Sequence, residues 1–329
     1  MSTHVSVLFW AAALSIAVVA NSVSYVPEAE AAYPCSGKHV YPSQNLTTVA
    51  ANSKEGTTFC IHDGTYNVSS AVVVEDDDRF IGLYNDSSRP SVVTTKAHYV
   101  FDANQGSDRA VIRGLKISGG VGGSYCEPAC GKGIRGGRYL TVDHVRLTRN
   151  ANNGIGGAGI GLVVKNSLID HNGSRRFTSL DGGPSQAAGI KSAEGSLTVL
   201  NSRIEDNYWV GLWCDIDCNK FTVKNSTITG NGKAGIHDEI SSGPAVISGN
   251  TIRRNGTLAA ADRHAGLLIM SSANVDAYNN TFGANVGYGV QISEDDRPPE
   301  LGKIKVHDNT MSRNRLAGCG LSGVSCYRN

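Results

Sequence analysis

Val199-Leu200-Asn201-Ser202-Arg203-Ile204 and Val223-Lys224-Asn225-Ser226-Thr227-Ile228 are two copies of one pattern, and Val164-Lys165-Asn166-Ser167-Leu168-Ile169 is a third. Val246 to Ile252, Val275 to Phe282 and Val306 to Met311 repeat it with small slips. Copies of this stretch run on into an asparagine in the same place: Asn150, Asn172, Asn207, Asn231, Asn255, Asn285 and Asn314. Ahead of the copies stand short segments headed by glycine and an aliphatic residue: Gly133-Ile134, Gly154-Ile155, Gly189-Ile190, Gly211-Leu212, Gly235-Ile236, Gly266-Leu267 and Gly289-Val290. The period is roughly 20 to 35 residues, the mark of a stacked repeat architecture.

Each unit offers a few apolar side chains, too few to fold alone. Stacking joins them into continuous aliphatic columns, with parallel strands about 4.8 Å apart. Two short strands are expected per coil, the glycine-headed one and the Val-x-Asn-Ser one. Asparagine tolerates left-handed backbone at the turns, and its amide can bond the same residue in the coils above and below. That ladder is preferred over glycosylation for the sequons among these asparagines, such as Asn225-Ser226-Thr227.

The pattern resembles the right-handed parallel β-helix superfamily with the pectate-lyase-like fold, over roughly residues 35 to 315. Gly56 to Tyr66, with its Gly64-Thr65-Tyr66 turn, looks like that superfamily's first coil. The resemblance implies an all-β chain: a single-stranded right-handed parallel β-helix, or solenoid. The expected layout is a signal peptide at 1–31, an N-terminal cap and first coils at 32–110, helix repeats at 111–315 and a disulfide-linked cap at 316–329. The superfamily hosts lyases, hydrolases, epimerases and adhesins, so activity must be read from the site. The Trp-Ile-Asp-His and Arg-x-Pro-x-x-Arg segments of typical pectate lyases are missing. So are the Asn-Thr-Asp and Gly-His-Gly segments of polygalacturonases and the Asp-Pro-His segment of alginate epimerases. No catalytic residue carries over from those enzymes; what carries over is a habit of binding acidic polysaccharides.

Val5 to Ala20 is almost wholly apolar, and Ala29-Glu30-Ala31 makes a small-x-small cleavage site. This predicts a secretory signal peptide and a secreted, extracellular protein with no membrane span after cleavage. The eight cysteines fall as neighbours, Cys35 with Cys60, Cys126 with Cys130, Cys214 with Cys218 and Cys319 with Cys326. In an exported chain they suggest disulfides, and the histidines do not sit at zinc-finger spacings. A Cys214–Cys218 bond requires a sharp turn near Asp217, because an extended strand holds those positions about 13 Å apart. The formal net charge is +1, with no basic run, which argues against a nucleic-acid partner.

Strand alternation points the aliphatic after each glycine inward and the next residue outward. Lys191, Trp213 and His237 then share one outward column, Asp215 and Glu239 the next, and Asp238 is left pointing inward. Two long gaps between heads bracket these coils. One carries Arg175-Arg176-Phe177 through Gln186, the other Leu258 through Arg263 and His264. Long excursions of this kind tend to be functional and are expected to wall a water-filled groove. Trp213 would be its sugar platform, with Arg175, Arg176, Arg263 and His264 as further substrate-binding residues. Each residue also has a plainer reading: Asp215 and Glu239 as solvated charges, His237 as a partner of either, Trp213 as a cover for the sheet.

Three chemistries fit. The favoured one is β-elimination or C5-epimerisation of an acidic, uronic-acid-containing glycan, with Lys191 or His237 as the base and Ca²⁺ held by Asp215, Asp217 and Glu239. The second is glycoside hydrolysis by Asp215 or Asp217 paired with Glu239. The third is glycan binding without turnover.

Overall fold

The computed structural model describes residues 34–83, 89–104, 107–123, 130–157, 159–181, 185–261, 263–294 and 296–314. Among these, regular structure is almost all parallel strand, gathered into three sheets of eleven, ten and nine strands. The chain visits the three sheets in turn and advances one rung per circuit. Leu162–Lys165 thus pairs with Ser196–Leu200, which pairs with Lys220–Lys224. This is the right-handed parallel β-helix that the repeat predicts.

Each coil has three strands, one more than expected. The Val-x-Asn-Ser stretch is broken at its asparagine: Leu162–Lys165 and Leu168–Asp170 flank Asn166. Asn166, Asn201 and Asn225 take positive φ of 51°, 47° and 51°, a left-handed kink that asparagine tolerates better than most residues. The serine that follows then bonds along the stack. Ser167 N–H donates to Ser202 Oγ at 3.2 Å, Ser202 N–H to Ser226 Oγ at 3.1 Å, and Ser226 N–H to Asn250 Oδ1 at 2.9 Å. Asn225 is an exposed turn residue with no place in the asparagine ladder, so the ladder does not account for its sequon.

The ladder itself runs unbroken. Asn150, Asn172, Asn207, Asn231, Asn255 and Asn285 each donate Nδ2–H to Oδ1 of the next, at 2.9 to 3.1 Å, ending on Asn314. The left-handed backbone lies one residue earlier than expected, at His171, Asp206 and Arg254, for example. The ladder also explains the glycine heads. A Cβ on Gly211 would lie 2.8 Å from Asn231 Nδ2 and 2.5 Å from the Gly235 carbonyl oxygen, and Gly235 is equally tight against Asn255 and Gly266. Only glycine lets the neighbouring coil and its amide approach that closely.

Inside, Ile134, Ile155, Ile190, Leu212, Ile236, Leu267 and Val290 form one fully buried column in register. At the N-terminal end the helix Leu46–Ala51, capped by Asn45, places Leu46 and Ala50 in the core. Cys35–Cys60 and Cys214–Cys218 are disulfides with Cα atoms 5.8 and 5.7 Å apart. The second closes across Ile216 and Asp217, which both take positive φ, the sharp turn that this bond requires. Cys130 is also disulfide-bonded. The signal segment 1–31, the segment 316–329 and Cys126, Cys319 and Cys326 lie outside the described residues. Among the described residues no helix is long and apolar enough to cross a membrane.

Candidate functional site

The strands Ala188–Ala193, Val210–Asp215 and Ala234–Glu239 are successive rungs of the nine-stranded sheet. Their register aligns Lys191 with Trp213 and His237, and Ala193 with Asp215 and Glu239. Aligned rungs bring unlike side chains into contact. Lys191 Nζ lies 3.5 Å from the centre of the Trp213 ring and 2.8 Å from Asp215 Oδ2. The Trp213 and His237 rings stack with centroids 5.2 Å apart. Trp213 Nε1–H donates to Glu239 Oε2 at 2.9 Å, and Arg297 Nη2–H to Glu239 Oε1 at 2.6 Å.

The face is not open to water, contrary to the expected groove. Trp213 is 4% exposed, Lys191 6% and His237 1%. The excursion expected to wall the face lies on it instead. Phe177, from the short turn Arg175–Phe177, packs with Trp209, Val210, Trp213 and Ala188 in a second apolar cluster outside the barrel, joined by Ala261. Ser185 accepts from Trp209 Nε1–H at 3.2 Å, and its carbonyl lies 3.5 Å from Lys191 Nζ. Arg175, Arg176 and Arg263 are on the exposed side of these excursions, while His264 is half-buried with Nε2 3.0 Å from the Leu258 carbonyl. Trp213 is therefore a covered residue rather than an open platform, and Asp215 and Glu239 are buried rather than solvated.

Burial sets the electrostatics. Loss of hydration pulls the Lys191 amine below its usual range, opposed by the Asp215 carboxylate beside it. The same loss pushes Asp215 up, opposed by Lys191. Both shifts run toward the neutral forms because burial penalises charge, and each partner of the ion pair opposes the other's shift. His237 is held well below its ordinary value by burial and then by Lys233, Lys191, Arg263 and Arg297, and neither ring nitrogen has a hydrogen-bond partner. It is a neutral imidazole at ordinary pH.

The carboxylates do not fit a calcium ion. Asp215 is taken by Lys191, Glu239 by Arg297 and Trp213, and Asp217 is exposed within the disulfide turn. Among the described residues no group of three or more His, Cys, Asp or Glu side chains could hold a metal. No step is derived through calcium.

Asp238 points inward, between Cys214 and Ile269 in register, and its Oδ2 has no partner. Burial raises its pKa well above the carboxylate range. A carboxyl whose folded pKa is raised binds its proton more tightly folded than unfolded, so its contribution to stability falls as pH rises above the unfolded value of about 3.9. Asp238→Asn should therefore raise the midpoint of thermal unfolding, and the gain should grow from acidic to neutral pH. A gain that is absent, or constant with pH, would show that Asp238 is not a protonated core residue.

Sequence reasoning missed Arg297, and it put Phe177 in a groove wall without foreseeing its packing onto Trp209 and Trp213. Arg297 lies in the charged stretch after the strand Tyr288–Ser293 on the same sheet, a third excursion that the gap count could have revealed.

Among known families, the right handed beta helix region matches residues 52–257 and 189–329. The chain belongs to this family. No curated protein matches the sequence. Among solved structures, the β-helix is similar to the A-module of an Azotobacter vinelandii mannuronan C-5 epimerase. Identity is 12% and the TM-score 0.52, covering 88% of this chain and 96% of that one. It is also similar to the Dettilon tailspike protein, at 13% identity and TM-score 0.54, covering 83% and 62%. Pectate lyase Pel9A aligns at 16% identity with a TM-score of 0.43, covering 84% and 80%. At these identities the likeness is one of fold.

Proposed function

We propose that this β-helix protein is exported and acts on an acidic, uronic-acid-containing polysaccharide by proton abstraction, as a lyase or C5-epimerase. The observation that carries the reading is the Lys191–Asp215 pair, set against Trp213 and held toward its neutral forms in the middle of one sheet. A neutral amine is a base. Lys191 Nζ takes the proton from C5 of the sugar acid, and the electron pair delocalises into the adjacent carboxyl group. Elimination then forms the C4–C5 double bond and breaks the C4–oxygen bond, the departing oxygen taking a proton from water, whereas epimerisation returns a proton to the opposite face of C5. His237, held neutral by burial and with no hydrogen bond to either ring nitrogen, is assigned the second proton transfer in this reading. The disulfides Cys35–Cys60 and Cys214–Cys218 suit an oxidising compartment, and the mannuronan epimerase module has a similar fold turned to such a substrate.

A second reading is favoured by the burial of Trp213: a ring 4% exposed offers no open face to a sugar, and the cluster is then a structural ion network in a glycan-binding protein. One assay separates them. Purified protein is incubated with pectate, alginate, glucuronan and glycosaminoglycans, with calcium or with chelator. A lyase yields an unsaturated, ultraviolet-absorbing product, an epimerase exchanges the C5 proton in heavy water, and a hydrolase gives reducing ends without unsaturation. Retardation in an affinity gel with no product supports binding alone and overturns the catalytic reading. Activity is expected to survive the chelator, since the carboxylates are already engaged.

A further inference from the structure

A cleft of about 210 Å³ opens on the outer face of the eleven-stranded sheet, at its C-terminal end. Asn274, Val275, Asp276, Lys303 and Lys305 line it, from the adjacent rungs Val275–Tyr278 and Ile304–His307 and the residues that lead into them. Lys191 lies elsewhere, on the nine-stranded sheet. Lys303 and Lys305 are both exposed and stand two residues apart on one extended segment, about 7 Å by strand rise and on the same side. Among the described residues neither ammonium has a hydrogen bond or an ion pair.

Asp276 stands opposite Lys305 in register, yet its carboxylate turns away along the sheet. Asp276 Oδ1 accepts from His307 Nε2 at 3.0 Å, while His307 Nδ1 donates to Asp308 Oδ2 at 2.7 Å. The ring is stacked on Tyr278, with centroids 5.4 Å apart. Both ring nitrogens therefore face carboxylates. A neutral imidazole has one N–H to give, so this arrangement belongs to the imidazolium. In accord, Asp308 and then Asp276 hold the His307 pKa above its ordinary value. Among the described residues, the titratable and charged groups facing the ring are Asp276 and Tyr278 on the neighbouring strand, with Lys305 and Asp308 on its own segment.

We propose that this cleft binds a carboxylate of an acidic polysaccharide between Lys303 and Lys305, and that His307 keeps it open by holding Asp276 off Lys305. The class of ligand rests on the acidic-glycan reading above, but the cleft owes nothing to Lys191. Two neighbouring ammoniums repel one another, and an anion between them relieves that repulsion. Once His307 loses a proton, one N–H remains, and the shorter contact keeps it on Asp308. Asp276 then turns to Lys305 and competes with the ligand. Affinity falls as pH rises through the histidine range.

The test is titration calorimetry with oligomers of pectate, alginate and glucuronan, and with the same oligomers methyl-esterified, from about pH 5 to about pH 9. Wild-type protein is expected to bind an acidic oligomer, to reject its ester, and to bind more weakly toward alkaline pH. Lys303→Met with Lys305→Met should weaken binding at least about tenfold. Lys38→Met with Lys54→Met, near the N-terminal end of the stack, should leave it unchanged. Asp276→Asn removes the competing acid and should hold the acidic-pH affinity across the whole range. His307→Gln, which cannot take a charge, should show the weaker alkaline affinity throughout. Wild-type affinity in Lys303→Met with Lys305→Met, or an equal loss in the remote pair, would overturn the cleft and leave the acidic-glycan reading standing. A wild-type pH profile in Asp276→Asn would overturn the part given to His307. Failure of the wild-type protein to prefer any acidic oligomer over its ester would overturn the cleft and the acidic-glycan reading together.

Discussion

Lys191→Met is expected to abolish turnover of the acidic glycan, lowering kcat by about a hundred- to ten-thousand-fold, the contribution of a positioned general base. This amine lies against the Trp213 ring and pairs with Asp215, and no other lysine shares its column. Removing it alone also strands Asp215, and breaking a buried pair from one side costs about 3 to 5 kcal/mol. Asp215 has an outlet, because burial already favours its protonated form. The double variant Lys191→Met with Asp215→Asn removes both charges and should restore stability without restoring turnover. Circular dichroism and thermal unfolding of the two variants, beside their rates, separate the roles. Near-normal kcat in the stable double variant would remove Lys191 as the base.

Asn231→Ala should be among the most damaging single substitutions in the chain. The Asn231 side chain accepts from the Asn207 backbone and amide at 3.1 and 3.0 Å. It donates to Asn255 at 2.9 Å and to the carbonyls of Ile204 and Thr229 at 3.2 and 3.3 Å. Alanine leaves several of these groups buried without partners, at about 1 to 3 kcal/mol each and about 3 to 5 kcal/mol in all. Asn314→Ala, at the end of the ladder, frees only what Asn285 and Phe282 gave it and should cost about 1 kcal/mol. Urea unfolding measures both. Equal costs would mean that the amides do not act as a connected series.

The fold was legible because its cause is local and recurrent. An asparagine that must meet its copy in the next coil, and a glycine that must clear that amide, recur at the same place in each turn. The third strand was less legible, since the kink at Asn166, Asn201 and Asn225 lies inside a stretch whose valine and isoleucine pattern reads as continuous. For the site, alternation along Gly211–Asp215 and Gly235–Glu239 was enough to align Lys191 with Trp213 and His237. It could not show whether water reaches them. That depends on Phe177 turning back over Trp209 and Trp213, a long-range contact between an irregular segment and a sheet, with no period to betray it.

The ladder spaces its amides evenly in height but not along the chain, with intervals of 22, 35, 24, 24, 30 and 29 residues. Pitch is thereby uncoupled from chain length: surplus residues are forced sideways, as the 35-residue interval shows by carrying the segment that roofs the lysine. The short interval from Asn207 to Asn231 is then a vacant port. A loop grafted into it should broaden the roofed face without altering the rise of the screw.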